Sequence, residues 1–140
     1  MANNFEFYAP TRVIFGKGTE GRVGALAKEY GAKNILIVYG GKSAVRSGLL
    51  ELVKKALEEE GLRHLELGGV VPNPRLDKVY EGIALGKREK VDFLLAVGGG
   101  SAIDTAKAIA YGLAEPEKDV WDLFAHTRTA QNCLPVASIL

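Results

Sequence analysis

The 140-residue sequence is poor in the residues that build disulfide frameworks and metal sites. Its one cysteine, Cys133, has no partner for an internal disulfide, so we expect a reducing compartment. Its two histidines, His64 and His126, lack the spacing of a metal site. Paired cysteines, a His-Glu-x-x-His motif and a nucleophile elbow are also absent. The sequence therefore indicates no catalytic residue and no metal ligand.

The sequence also lacks an excess of charge of one sign and any long hydrophobic run. Eighteen basic and 17 acidic residues give a net charge of +1, without a block of like charges, which argues against nucleic-acid binding. No apolar run approaches the ~20 residues of a membrane span, and residues 1–6 are too polar for a signal peptide. We therefore expect a soluble, cytoplasmic protein without a membrane partner. The length predicts one globular domain, residues 1–140.

Apolar segments alternate with amphipathic segments along the chain, which predicts an α/β fold with a mostly parallel sheet. The strand-like segments are residues 35–38, 64–67, 93–97 and 135–140. The helical segments follow Thr19 as a candidate N-cap, cover residues 49–57, begin at Asn73-Pro74, and cover residues 102–111. Continuous apolar runs suit strands that are covered on both faces. We therefore expect a Rossmann-like sheet with helices on both faces.

The two ends of the chain carry further expectations. Residues 5–7 and 13–15 alternate apolar and polar side chains, which predicts a short N-terminal β-hairpin. The segment that contains Trp121 and Phe124 is interpreted as a loop. The sequence stops at Ile139-Leu140 inside an apolar run, which we interpret as a truncation. An unfinished apolar edge favours association, so we expect dimerisation or strand swapping, including a homodimer.

The most informative stretch is Gly98-Gly99-Gly100-Ser101, between an apolar strand and a helix. At the carboxyl edge of a parallel sheet, a helix that begins there presents free amides and its positive dipole end. Glycine lets a phosphate approach the main chain, so the turn predicts phosphate or pyrophosphate binding. It departs from the G-x-G-x-x-G pattern, which would need glycine at Ile103. The alternative is a tight turn without a ligand, in which Ser101 caps the helix and Asp104 completes a capping box.

A second glycine turn, Tyr39-Gly40-Gly41-Lys42-Ser43, follows the first buried strand. In dinucleotide folds an acidic residue at this place usually binds the ribose 2′-hydroxyl of NAD. Here no acid is present, and glycine amides, Lys42, Ser43 and the nearby Arg46 suit a phosphate. The turn therefore favours NADP(H) over NAD(H), with solvated Lys42 and Arg46 side chains as the alternative.

These segments together resemble the iron-containing (group III) alcohol dehydrogenases, especially the butanol dehydrogenase branch. Matching segments occur in order over essentially the whole chain: residues 8–18, 37–41, 71–74, 98–104 with 106–107, 121–122 and 134–140. The resemblance implies an N-terminal dinucleotide-binding domain that covers about the first third of such an enzyme. In the intact enzyme a helical domain would hold iron or zinc through one aspartate and three histidines, all beyond Leu140. Hydride would pass between NADP(H) and an alcohol or aldehyde, and the isolated chain is expected to be inactive.

The resemblance also implies roles for individual residues. Gly99, Gly100 and Ser101 would contact the pyrophosphate, and Asn73 would lie near the adenosine half of the cofactor. The residues placed around the adenosine ribose or its 2′-phosphate are Gly40, Gly41, Lys42 and Ser43. Lys42 departs from the third glycine, or other small residue, of the family pattern.

Two alternatives to an alcohol dehydrogenase domain remain open, one enzymatic and one not. Dehydroquinate synthase-like lyases and glycerol-phosphate dehydrogenases also use a three-glycine turn, although residues 8–18 and 134–140 favour the alcohol dehydrogenase branch. The third hypothesis is a free-standing, non-catalytic binding or interaction domain.

Overall fold

The structure, a computed structural model, describes residues 11–41, 45, 47–71, 75–128 and 130–140. The strands are β1 (Asn34–Tyr39), β2 (Arg63–Leu67), β3 (Phe93–Val97) and β4 (Val136–Ile139). They form a parallel sheet in the order β2-β1-β3-β4. The helices are α1 (Val23–Glu29), α2 (Leu49–Glu59), α3 (Leu76–Glu89), α4 (Gly100–Ala114) and α5 (Trp121–Phe124). This arrangement confirms the predicted Rossmann-like α/β class.

Helices cover both faces of the sheet, as predicted. In β1, Leu36 and Val38 pack towards α3 and α4, whereas Ile35 and Ile37 pack towards α1 and α2. Every residue of β3 is buried. A strand that is covered on both faces needs an apolar side chain at each position, which explains the continuous runs in the sequence. In the part of the chain that the structure describes, no helix is both long and apolar enough to cross a bilayer.

Close helix packing depends on glycines at the contact points. A Cβ on Gly24 of α1 would overlap the carbonyl group of Ala56 in α2. Between α3 and α4, a Cβ on Gly82 would overlap the side chain of Ile109, and one on Gly112 would overlap that of Ile83. These glycines therefore serve packing rather than ligand binding.

Residues 11–15 do not form the second strand of the predicted N-terminal hairpin. They are irregular, Val13 and Phe15 are 79% and 99% exposed, and no described strand pairs with them. Alternating apolar residues stabilise a strand only where one face is buried and a neighbour completes the hydrogen bonds. The other half of the hairpin, residues 5–7, lies outside the described residues.

Three helix predictions were wrong in detail. Arg75 is extended (φ −99°, ψ 142°), so α3 begins at Leu76 rather than at residues 73–74, which lie outside the described ranges. The Thr19 hydroxyl donates to the Gly16 carbonyl at 2.8 Å instead of capping α1, which a short 3-10 turn precedes. The segment interpreted as a loop contains the short helix α5.

A buried glutamate fixes the loop between α4 and β4. Glu115 accepts hydrogen bonds from the Gln131 amide at 2.8 Å and from the Arg128 guanidinium at 2.5 Å. The hydrogen bond from the Gln131 amide, and to a smaller extent the one from Arg128, holds the pKa of Glu115 below its ordinary value. The loop is therefore tied to the end of α4 by a carboxylate that must stay ionised to make these contacts.

Candidate functional site

The two predicted glycine turns lie side by side at the carboxyl edge of the sheet. β1 pairs directly with β3, and Tyr39 is the register partner of Val97, so Gly40 and Gly98 leave the sheet next to each other. The chain order reverses between these two strands, because β2 lies beyond β1 and β4 lies beyond β3. Ligands of open parallel sheets bind at such a reversal, outside the carboxyl ends of the strands. The fold thus brings both turns to the place where a crevice for a ligand is expected.

The beginning of α4 supplies a group of free backbone donors. Gly99 is the N-cap residue, and the amide of Ile103 makes the first helical hydrogen bond, 3.2 Å from the Gly99 carbonyl. The amides of residues 99–102 therefore have no partner within the helix. The first turn contains no acidic residue, so the positive end of the helix dipole is not neutralised there. Free amides and a positive dipole end together suit a phosphate group.

Gly98 has a different role from the two glycines that follow it. Its amide donates to the Ile139 carbonyl at 2.9 Å, which continues the pairing of β3 with β4. Its φ of +131° is one that L side chains rarely adopt. The amide of Gly98 is thus used by the sheet, and the predicted cofactor contact of Gly98 stays a prediction that must involve other atoms.

The space above Gly99 and Gly100 is open. A Cβ on either residue would meet no atom within 4 Å, and both residues are exposed. Packing within the described residues therefore gives no reason for glycine at these two positions. A ligand lying directly against the main chain would use this space, because glycine leaves it free.

Ser101 does not cap α4, so the capping-box alternative is wrong. The N-cap is Gly99, two residues earlier, and no side-chain hydrogen bond caps this end of the helix. The helix therefore begins at Gly100, two residues before the start that Ser101 as the N-cap would give. Ser101 is half-buried in the first turn, and Asp104 is exposed one turn further along. The predicted contacts of both side chains with a cofactor remain predictions.

The turn after β1 is joined to the loop after β2. The Gly69 amide donates to the Gly40 carbonyl at 3.4 Å, and the Val70 amide donates to the Tyr39 carbonyl at 3.3 Å. A Cβ on Gly40 would lie 3.0 Å from the Val70 carbonyl oxygen, whereas one on Gly41 would meet nothing within 4 Å. Gly40 is thus needed for close contact between the two loops, and Gly41 is exposed and free to approach a ligand.

Several predicted site residues lie outside the described residues. They are Lys42, Ser43 and Asn73, together with Arg46. The structure therefore places the two glycines of the second turn but not its predicted cation or hydroxyl.

The structure places a cation that the sequence analysis missed beside the loop after β2, which is hydrogen-bonded to this turn. The ammonium of Lys78 lies 3.7 Å from the position that a Cβ on Gly69 would take. It pairs with Glu81 at 3.1 Å. Lys78 also borders a cavity of about 180 Å³. The cavity is lined by Gly69, Val70, Val71, Arg75, Asp77 and Lys78. The pair Gly68-Gly69 after β2 was the sequence signal for a further turn at this edge.

A larger cavity of about 780 Å³ runs along α4 and does not include the glycines. Its walls include Asp104 and Lys107 from α4 and the half-exposed rings of Trp121 and Phe124, whose centroids are 6.3 Å apart. The sequence analysis did not predict this cavity, because the segment with Trp121 was interpreted as a loop.

No metal centre is formed by the described part of the chain. Among those residues, no group of three or more histidine, cysteine, aspartate or glutamate side chains could hold a metal ion. His64 pairs with Glu58 at 3.1 Å. His126 is exposed after α5, in the left-handed conformation (φ 58°).

Comparisons with known proteins agree with this geometry. The sequence model of a family described as "Iron-containing alcohol dehydrogenase" matches residues 10–140. Probable NADH-dependent butanol dehydrogenase 2 of Bacillus subtilis is 50% identical over 137 residues, which are 98% of this chain and 35% of the relative. NADPH-dependent aldehyde reductase YqhD of Escherichia coli is 37% identical, over 99% of this chain and 35% of the relative.

Solved structures show the same similarity. The crystal structure of NADH-dependent butanol dehydrogenase A from Thermotoga maritima matches with a TM-score of 0.94 and 41% identity, over 98% of this chain and 34% of that one. The chain thus spans about a third of the length of the proteins that it matches.

Proposed function

The chain belongs to the iron-containing alcohol dehydrogenase family, as its sequence segments suggested, and we propose that residues 1–140 are the nucleotide-binding domain of such an enzyme. The observation that carries this proposal is the set of amides at residues 99–102 that have no partner inside α4, at the strand-order reversal of a parallel sheet. Relatives named as NADH- and NADPH-dependent enzymes support a nicotinamide dinucleotide as the ligand.

We propose that the main chain at the start of α4 binds the diphosphate of the cofactor. The amides of Gly99, Gly100 and Ser101 donate to its oxygens, and the helix dipole favours its negative charge. The open space over Gly99 and Gly100 lets the diphosphate lie against the backbone. The Ser101 hydroxyl adds a further contact from the first turn of the helix.

In the intact enzyme, the bound nicotinamide supplies hydride transfer between an alcohol and an aldehyde. The residues of this chain hold the cofactor and do not themselves exchange protons with the substrate. We propose that iron or zinc belongs to the intact enzyme only. The isolated chain is therefore expected to bind the dinucleotide weakly and to lack dehydrogenase activity.

We propose NADP(H) as the cofactor, with NAD(H) as the alternative. The described residues that follow β1, Gly40 and Gly41, carry no carboxylate that would repel a 2′-phosphate. The names of relatives favour the alternative in part, because the proteins at 50% and 46% identity are both described as probable NADH-dependent enzymes. The charge of the turn and the names of the relatives thus favour different cofactors, and a binding measurement decides between them.

The test measures binding and turnover on the same 140-residue chain. Calorimetric titration with NADP⁺ and NAD⁺ is expected to show binding of both, with NADP⁺ tighter. Oxidation of butanol, followed as the absorbance of reduced cofactor, is expected to be absent even when iron or zinc is added. Tighter binding of NAD⁺ would replace NADP(H) by the alternative. If the chain bound neither dinucleotide, the proposal would be overturned. Turnover of butanol would contradict the expectation that the isolated chain binds the cofactor but lacks dehydrogenase activity.

A further inference from the structure

We propose that Lys78 selects NADP(H) over NAD(H) by pairing with the 2′-phosphate of the adenosine ribose, an inference that rests on the proposed function. The structure gives Lys78 a place at the carboxyl edge of the sheet, beside Gly69 in the loop that follows β2. Lys42 and Arg46, the cations that the sequence offered for this role, lie outside the described residues.

The position of Lys78 follows from the two joined loops. The Gly69 amide is bonded to the Gly40 carbonyl, and the Lys78 ammonium lies against Gly69, 3.7 Å from its missing Cβ. The ammonium thus lies against the loop that is hydrogen-bonded to the turn where the ribose of a dinucleotide is expected. Gly69 has a φ of +78°, a left-handed conformation that glycine adopts without strain.

The ammonium of Lys78 can exchange its carboxylate partner for a phosphate. Its only ion pair among the described residues is with Glu81, one turn further along α3, whose side chain is 58% exposed. Exposed pairs of this spacing are weak, because water competes for both groups. A lysine ammonium has three donor hydrogens, and one carboxylate leaves the others for a phosphate. The stem of Lys78 is mostly buried, with 26% of the side chain exposed, so little freedom is lost on binding.

The small cavity beside Lys78 is bordered by two cations, Lys78 and Arg75, and by one carboxylate, Asp77. It holds about 180 Å³ and is lined by the loop at residues 69–71 and the first turn of α3. Arg75 adds a second cation, which pairs at 3.5 Å with Asp77, and both side chains are 72% exposed. Lys78 is the better held of the two cations, so we assign the selective contact to it.

The alternative is that Lys78 belongs to an ordinary surface ion pair of α3. The two accounts differ in what happens to the ratio of NADP⁺ to NAD⁺ affinity. A surface ion pair changes stability slightly and leaves that ratio unchanged. A contact with the 2′-phosphate changes NADP⁺ binding alone, because NAD⁺ has no group at this position.

The experiment is calorimetric titration of NADP⁺ and NAD⁺ into four versions of the 140-residue chain: wild type, Lys78→Met, Glu81→Gln and Lys55→Met. Lys78→Met is expected to weaken NADP⁺ binding by about tenfold or more, as for a lost charged hydrogen bond, and NAD⁺ binding by less than about twofold. Glu81→Gln removes the competing carboxylate and is expected to strengthen NADP⁺ binding. Lys55→Met removes an exposed lysine of α2 and controls for the change in net charge. Circular dichroism checks that each variant is folded.

Each outcome has a defined meaning. An unchanged affinity ratio in Lys78→Met, with NADP⁺ still bound by the wild type, overturns the assignment of Lys78 and leaves the proposed function intact. Equal losses for both dinucleotides also overturn it, because a 2′-phosphate contact cannot affect NAD⁺. A wild-type chain that binds neither dinucleotide overturns the proposed function, and this inference with it.

Discussion

The amide of Gly98 donates a hydrogen bond to the carbonyl of Ile139, with a donor–acceptor distance of 2.9 Å. This bond extends the pairing of β3 with β4 by one residue beyond Val97. The Gly98 amide thus serves the sheet, whereas the amides of the residues that follow it have no partner inside α4. The amides without a partner inside α4 therefore begin at Gly99, one residue after the first glycine of the turn.

Replacement of Gly98 is expected to destabilise the fold. Gly98 has a φ of +131°, so Gly98→Ala introduces backbone strain, which we expect to lower the free energy of unfolding by about 1–3 kcal/mol. A Cβ there would lie 3.9 Å from the Cβ of Ala102, so the loss is due to strain and not to a clash. Urea unfolding measures the change, and Gly21→Ala is the matched control, because its Cβ meets no atom and its φ is ordinary. Equal stability of the two variants would contradict this account.

Lys90 marks the end of α3 at a position that suits glycine better than lysine. Its φ of 58° is left-handed, and the following amide, that of Val91, donates to the Gly86 carbonyl at 2.9 Å. Lys90→Gly is expected to raise the free energy of unfolding by about 0.5–1 kcal/mol. The same replacement at Lys55, inside α2, is expected to lower it by about 1 kcal/mol. Urea unfolding measures both changes in the free energy of unfolding, which should have opposite signs. A loss of stability in Lys90→Gly would count against the left-handed cap.

Glu115 predicts a dependence of stability on pH. Its pKa is held below the ordinary value of 4.5 by the Gln131 amide and by Arg128. A carboxyl group with a lowered pKa in the folded state stabilises the fold above pH 4.5 and loses this contribution as the pH falls through the lowered value. Wild-type stability should therefore fall more steeply below pH 4.5 than that of Glu115→Gln.

Thermal unfolding of both proteins between pH 7 and pH 3 measures this difference. Glu89 and Asp119 also have lowered pKa values, because of Arg63 and of Tyr80 respectively, and they contribute to acid sensitivity in both proteins. Only the difference between wild type and Glu115→Gln is due to Glu115. Parallel curves for the two proteins would show that the Glu115 contacts do not stabilise the loop.

The sequence predicted the sheet well because its strands are buried. Both faces of β1 and β3 are covered by helices. The apolar runs at residues 35–38 and 93–97 therefore identified these two strands directly. Residues 13–15 were misread because alternation alone does not supply a neighbouring strand. The start of α4 was misplaced by two residues, because Ser101 is a favourable cap by type but Gly99 fills that position.

Contacts between distant residues could not be predicted from the sequence. Lys78 is 38 residues from Gly40 along the chain, and the two are linked through Gly69, which bonds to the Gly40 carbonyl and lies beside the Lys78 ammonium. The large cavity beside Trp121 likewise depends on how the loop after α4 packs on α3 and α4, where Tyr80 donates to Asp119. Local patterns carry no information about such pairings until the topology is known.

The most direct test of the account is calorimetric titration of NADP⁺ into the wild type, Gly100→Ala and Gly21→Ala. A Cβ at either position meets no atom of the described protein within 4 Å, so both variants should fold, and alanine inside α4 should raise stability by up to ~1 kcal/mol. At residue 100 the Cβ would occupy the space that the diphosphate needs. The account predicts NADP⁺ binding about tenfold or more weaker in Gly100→Ala and unchanged in Gly21→Ala. Wild-type affinity in a folded Gly100→Ala chain would contradict the claim that the diphosphate lies against the amides of α4.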